Sequence, residues 1–174
     1  MKFLVFIEPK DFKDETLKSI KMFFERWDVN YKISSYTKDS CVGMHGDVVD
    51  IDFNTNLVNP DNFDGLILVD GKGIDEYKLY EFRPLLDLVM LFNNSNKWII
   101  AFGNAVGLVA RANVINNRKI ATIESDSEVT RFVKLFHGTP SRKELEFDGN
   151  LITIKDSSKS NELFDTILEK LNIE

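Results

Sequence analysis

An unbroken apolar run, Trp98-Ile99-Ile100-Ala101-Phe102, stops at Gly103, and small and aliphatic residues follow at once from position 104 to 112. Five apolar residues bounded by a glycine fit a strand covered on both faces. The residues after it predict a helix. A buried strand that turns through one glycine into a helix restricts the chain to α/β architectures, which place nucleophiles or phosphates at such turns. Here the tip of the turn is glycine, with no side chain to react. The sequence therefore asks whether a reactive turn has lost its chemistry.

Strand and helix signals alternate along the rest of the chain. Residues 2–7 read as an opening strand and 64–69 as a central parallel strand. Leu17, Ile20, Phe24 and Trp27 lie at helical spacing within 12–27, one face of an amphipathic helix. Residues 29–35 and 47–53 alternate as strands. The second puts Val49, Ile51 and Phe53 on one face and leaves Asp50 and Asp52 solvated on the other. A helix is expected over 80–92, with Pro84 tolerated in its first turn. A short strand over 119–123 precedes a helix over 127–136, capped by Ser127 or Asp126. Residues 145–147 and 151–154 flank Asp148-Gly149-Asn150, a hairpin signal, and 161–171 form a closing helix.

This order predicts a doubly wound, mostly parallel sheet with helices on both faces, in a single domain over residues 1–174. Ligands bind such sheets beyond the carboxyl ends of the strands. Three ends stand out: Glu8, Asp70-Gly71 and Gly103-Asn104.

Composition narrows the function classes. A net charge of −6 argues against a nucleic-acid partner. No stretch approaches the roughly 18 apolar residues of a membrane span. Met1-Lys2 leads straight into a strand without a cleavage site, and Cys41 is the sole cysteine, so a cytoplasmic chain without a disulfide is expected. With two histidines and one cysteine, no His/Cys metal site is expected. Gly71-Lys72-Gly73 lacks phosphate-loop spacing, and no cofactor is expected. Cys41 reads as an unreactive loop cysteine, His45 as structural, and His137 as a cation at a helix end. Phe23, Phe24, Phe82 and Phe92 are expected mostly in the core, with an unpaired aromatic stripe on the first helix available for self-association.

Four segments then carry a resemblance. His45-Gly46, with Val58-Asn59-Pro60 and Phe63-Asp64 downstream, is similar to the HG hairpin and third-strand lead of the PfpI (intracellular protease I-like) proteins of the ThiJ/PfpI superfamily. Leu66 to Gly73 is similar to that family's LVLPGG, Lys97 to Thr122 to its nucleophile segment, and Phe147 to Thr153 to its VDGNLIT. The resemblance spans nearly the whole chain. It implies a class I glutamine-amidotransferase-like, flavodoxin-like three-layer sandwich that assembles as a homodimer or higher homo-oligomer.

By the same resemblance, the family's nucleophilic cysteine falls on Gly103 and its neighbouring histidine on Asn104. The Gly-Pro after that pair becomes Ala105-Val106. The Pro-Gly-Gly turn that helps form an oxyanion hole falls on Val69-Asp70-Gly71. The glutamate that hydrogen-bonds the nucleophile falls on Thr16, or on Glu15 after a one-residue slip. An acidic residue that reaches across a subunit interface in some members falls on Asp75. Cysteine hydrolysis needs a thiolate and a group that lowers its pKa, and Asn104 cannot titrate near neutrality. The expectation is a catalytically degenerate homologue serving as a small-ligand-binding or oligomeric scaffold module, with Asp70, Gly71, Gly103 and Asn104 as ligand-binding candidates. The alternative is a cysteine-independent hydrolase, amidase or glyoxalase-like enzyme using Glu15, Asp70 and Asp75. A phosphoacceptor receiver domain fails because Glu8 is followed by Pro9 rather than by a second acidic residue.

Overall fold

The computed structural model describes residues 1–122, 127–156, 158 and 160–172. β1 (Lys2–Phe6) leads through β2 (Lys10–Phe12) into α1 (Asp14–Arg26), and β3 (Asn30–Ser35) returns beside β1. Short pieces β4 (Cys41–Gly43), β5 (Val48–Val49) and β6 (Phe53–Asn54) precede β7 (Gly65–Leu68), the one-turn α2 (Gly73–Glu76) and α3 (Arg83–Asn94). β8 (Trp98–Phe102) turns into α4 (Val106–Arg111). β9 (Lys119–Ala121), α5 (Glu128–Leu135) and β10 (Thr139–Ser141) follow, and then β11 (Leu145–Asp148), β12 (Leu151–Ile154) and α6 (Ser160–Leu171).

The central sheet runs β11-β12-β8-β7-β1-β3-β6, parallel except for the β11–β12 hairpin. Its inner strands β7 and β8 are continuously apolar because both faces are covered. Phe3, Val5, Ile67, Ile100, Phe102, Ile152 and Ile154 face α1 and α6. The alternate positions, Leu4, Phe6, Leu66, Leu68, Ile99, Ala101 and Leu151, face α3, α4 and α5. The doubly wound sandwich expected from the sequence is the observed fold. Asp148 pairs with Leu151, so the hairpin loop is Gly149-Asn150. Gly149 has φ +61, as a glycine at the first central position of a type II′ turn requires.

Several local expectations are corrected. α1 begins at Asp14, because Lys10–Phe12 pairs with β4 instead of joining the helix. α3 begins at Arg83, where Pro84 fits the first turn, and Leu79–Glu81 is a separate 3₁₀ turn. The alternating stretch 47–53 is two pieces in different sheets: Val48–Val49 pairs with β4, and Phe53–Asn54 edges the central sheet. Asp50 and Asp52 are exposed, as expected, and also accept hydrogen bonds. Asp50 accepts from Ser40 Oγ at 2.6 Å, and Asp52 accepts from the Ile33 backbone N–H at 2.7 Å and Lys32 Nζ at 3.2 Å. β9 pairs with β10 outside the central sheet, and Ile123 lies outside the described residues. Ser127 caps α5 by accepting from Thr130 N–H; Asp126 lies outside the described residues.

The aromatic stripe of α1 is covered from within the chain. Phe23 stacks on Phe164 of α6 with centroids 4.1 Å apart, and Phe24 stacks on Phe3 at 5.2 Å. No described helix is long and apolar enough to cross a membrane. Phe164→Ala removes the α6 half of the stack from a buried site, so we expect a loss of about 3–4 kcal/mol in denaturant unfolding. A loss below about 1 kcal/mol would mean that α6 is held by other contacts.

Candidate functional site

β8 delivers its carboxyl end to Gly103, which has φ +50 and opens a 3₁₀ turn (Gly103–Ala105) before α4. The left-handed conformation of a nucleophile elbow is thus present, on the residue that adopts it without strain. The space above it is taken. A β-carbon at position 103 would lie 2.6 Å from Asp70 Oδ2. Asp70 follows β7 and is 6% exposed. Its Oδ1 accepts a 2.6 Å hydrogen bond from Thr16 Oγ1, itself fully buried on α1. Lys13 Nζ lies 3.9 Å from Oδ2, and the Lys13 backbone N–H donates to the Asp70 carbonyl.

Asn104 closes the other side. Its Oδ1 accepts from the Gly71 N–H at 3.0 Å, and its Nδ2 donates to the Gly71 carbonyl at 2.8 Å. The N–H that would serve an oxyanion is therefore spent inside the protein. Tyr80 Oη donates to the Asn104 carbonyl at 3.1 Å. Burial, with help from the Asp75, Glu128 and Glu8 carboxylates, raises the Tyr80 phenol far above its usual range, so it remains a donor. Asp70, Gly71, Gly103 and Asn104 are thus brought together, with the polar groups named here bonded to one another or to α1.

Glu8 lies beneath this arrangement, at the carboxyl end of β1, and is fully buried. A β-carbon at position 71 would come 2.3 Å from the Asp11 carbonyl oxygen and 2.9 Å from Glu8 Oε1, and one at position 73 would come 2.1 Å from the Lys10 carbonyl oxygen and 2.6 Å from Glu8 Cβ, so both glycines let segment 8–12 approach. Among the described residues, neither carboxyl oxygen of Glu8 has a hydrogen-bond partner on another residue. Burial raises its pKa well above the usual carboxylate range; its own backbone N–H opposes this, while Asp70 and Asp11 reinforce it. Glu8 and Asp70 end adjacent strands at the point where the strand order reverses, the usual ligand position of this topology.

The remaining candidates lie elsewhere. Glu15 faces solvent, with its Oε1 2.5 Å from His45 Nδ1. Asp14 accepts the backbone N–H groups of His45 and Asp47 at 2.7 and 2.9 Å. Among the described residues, Asp14, Glu15 and His45 are the group able to hold a metal ion, with ligand atoms within 4.8 Å of one another; the sequence did not single them out as a set. Cys41 lies in β4, fully buried, rather than in a loop, and burial pushes its thiol pKa up. His137 sits two residues beyond α5 with φ +64, the left-handed residue that ends the helix. Asp75 is exposed and lines a cleft of about 430 Å³ with Lys78, Tyr80, Glu81, Arg111, Glu128 and Phe132. No sequence signal announced this cleft, whose walls come from three separated segments.

Residues 1–170 match the DJ-1/PfpI family. The chain belongs to the DJ-1/PfpI family. An uncharacterized protein of Methanocaldococcus jannaschii is 34% identical over 154 residues, covering 88% of this chain and 74% of that protein. A ThiJ/PfpI domain protein from Brachyspira murdochii superposes with a TM-score of 0.89 at 22% identity, over 98% of this chain and 96% of its own. Drosophila melanogaster DJ-1beta gives 0.83 at 18% identity, over 99% and 91% of the two chains. A putative protease I from Bacteroides thetaiotaomicron gives 0.83 at 18%, over 98% of each. At these identities the solved structures establish the fold alone.

Gly103→Ala adds a methyl group both at positive φ and against Asp70. It should destabilise the protein by about 2 kcal/mol or more, part of which Asp70→Ala recovers in a double-mutant cycle. Simple additivity would show that the carboxylate does not fill that space. Glu8 supplies a pH test. Its folded-state pKa is raised from the ordinary 4.5, so its neutral form favours folding at low pH. That contribution is lost as pH rises from the unfolded-state pKa through the folded one. Glu8→Gln should therefore gain stability relative to the parent as pH rises from about 4.5 to 7. A difference independent of pH would refute a neutral buried Glu8.

Proposed function

We propose that this DJ-1/PfpI protein has no family-type cysteine chemistry and serves as a one-domain binding or scaffold module that self-associates in the cytoplasm. The observation carrying this reading is the Asp70 carboxylate in the volume that a side chain at position 103 would occupy. Three positions support it together. Where the resemblance places glutamate, glycine and cysteine, this chain has Thr16, Asp70 and Gly103, and these three residues fit one another. Thr16 is the buried α1 residue that reaches the elbow, while Glu15 points to solvent beside His45. A ligand reaching Asp70, Gly71, Gly103 and Asn104 would have to displace the Asn104–Gly71 pair of hydrogen bonds.

Against a cysteine-independent enzyme stands the dispersal of its candidate acids. Glu15 pairs with His45 at the surface, Asp70 is buried on Thr16, and Asp75 lines a separate cleft. Self-association is supported by the family resemblance and by exposed apolar side chains, with Leu57 79%, Val48 68% and Leu135 64% exposed.

Purified protein should show no turnover of peptide, amide or methylglyoxal substrates above background, and light scattering should give a mass above one chain. Gly103→Cys with Asn104→His should remain inactive, because Asp70 still fills the space. Adding Asp70→Gly and Thr16→Glu should produce a thiol that iodoacetamide titrates as a thiolate. Parental turnover that survives iodoacetamide and is abolished by Asp70→Ala would overturn this reading.

A further inference from the structure

The cleft lined by Asp75, Lys78, Tyr80, Glu81, Arg111 and Glu128 holds charges of both signs that do not neutralise each other. Arg111 is fixed in place. Its Nε donates to the Tyr80 carbonyl at 3.1 Å, and its guanidinium carbon lies 5.5 and 5.6 Å from the Phe132 and Phe136 ring centroids. Held by this bond and over these rings, a guanidinium is pre-organised for a planar carboxylate. Among the described residues it forms no ion pair, and neither do Asp75, Glu81 or Glu128. Burial, and then the nearby Glu128 charge, raises the Asp75 carboxyl above its usual range. Two like charges facing one cleft disfavour each other until a cation lies between them. Tyr80 and Phe132, edge to face at 5.1 Å, supply an apolar wall. A volume of about 430 Å³ falls within the range of small-molecule sites.

A simple anion would meet the three carboxylates, and a simple cation would meet Arg111 and Lys78. A molecule carrying both charges meets neither penalty. We propose that this cleft binds a small zwitterion of the amino-acid type, its carboxylate on Arg111, its ammonium between Asp75 and Glu128, and its hydrocarbon against Tyr80 and Phe132. The cleft is separate from Gly103, so the proposal does not depend on the elbow being inert.

The test is calorimetric titration with glycine, γ-aminobutyrate and ε-aminocaproate, with butyrate and butylammonium as singly charged controls, followed in parallel by amide NMR shifts. At least one zwitterion should saturate, bind about tenfold more tightly than either control, and move the resonances of residues 75–81, 111 and 128–132. Arg111→Lys, which loses the planar fork, and Glu128→Gln, a change at an exposed residue, should each weaken binding about tenfold. Lack of saturation by all three zwitterions, equal binding of the controls, or unchanged affinity in Glu128→Gln would overturn the proposal. Any activity gained by variants at positions 103 and 104 bears on the elbow alone, so the two readings fail separately.

Discussion

The hydrogen bond from Thr16 to Asp70, buried between α1 and the end of β7, is the contact on which the site depends. A carboxylate taken out of water is costly unless it is paired and hydrogen-bonded. Here a 2.6 Å hydroxyl donor and a lysine at 3.9 Å supply that compensation. Glu8 lies close enough to feel the Asp70 charge, and burial already penalises its own ionisation. The glycines at 71 and 73 follow from the same packing, since side chains there would collide with the segment 8–12.

This interaction also explains why the departures at the elbow belong together. A cysteine at 103 with Asp70 in place would be crowded and would face a carboxylate, which raises a thiol pKa rather than lowering it. A glutamate at 16 would bring another acid into a space already holding Asp70 and Glu8. Thr16, Asp70 and Gly103 form a mutually compatible set, and no single reversal restores the alternative. Gly103 holds its positive φ between β8 and the 3₁₀ turn that leads into α4.

The fold was legible because its determinants are local. Continuous apolar strands, the Gly149-Asn150 turn and Pro84 each announce their element within a few residues. Less legible were features set by distant partners. The period-two pattern over 47–53 is real, yet Val48–Val49 pairs with β4 and Phe53–Asn54 with β3, partners the local pattern does not name. The aromatic face of α1 looked unpaired because Phe164 lies far along the chain. At the site, strand-end reasoning found Glu8, Asp70, Gly71, Gly103 and Asn104. The choice between Glu15 and Thr16 did have a signal. Thr16, Ile20, Phe23 and Phe24 share one helical face, and Glu15 is about 100° off it. The Asp75–Arg111–Glu128 cleft has no such signal, because residues from three elements meet only once the sheet is wound.

The elbow and the cleft share a physical boundary. Asn104 holds Gly71 with its side chain and accepts from Tyr80 with its carbonyl, while the Tyr80 carbonyl accepts from Arg111. Gly71, Asn104, Tyr80 and Arg111 are therefore linked in turn, the phenol and the carbonyl of Tyr80 serving its two neighbours. The Asn104 side chain closes its side of the elbow with two hydrogen bonds to the Gly71 backbone. The Tyr80 carbonyl in turn holds Arg111 through its Nε. A site built for reaction must keep donors unpaired for the transition state. A site built for binding is better served by pre-ordered side chains. At this elbow the Gly71 N–H is already paired with Asn104 Oδ1.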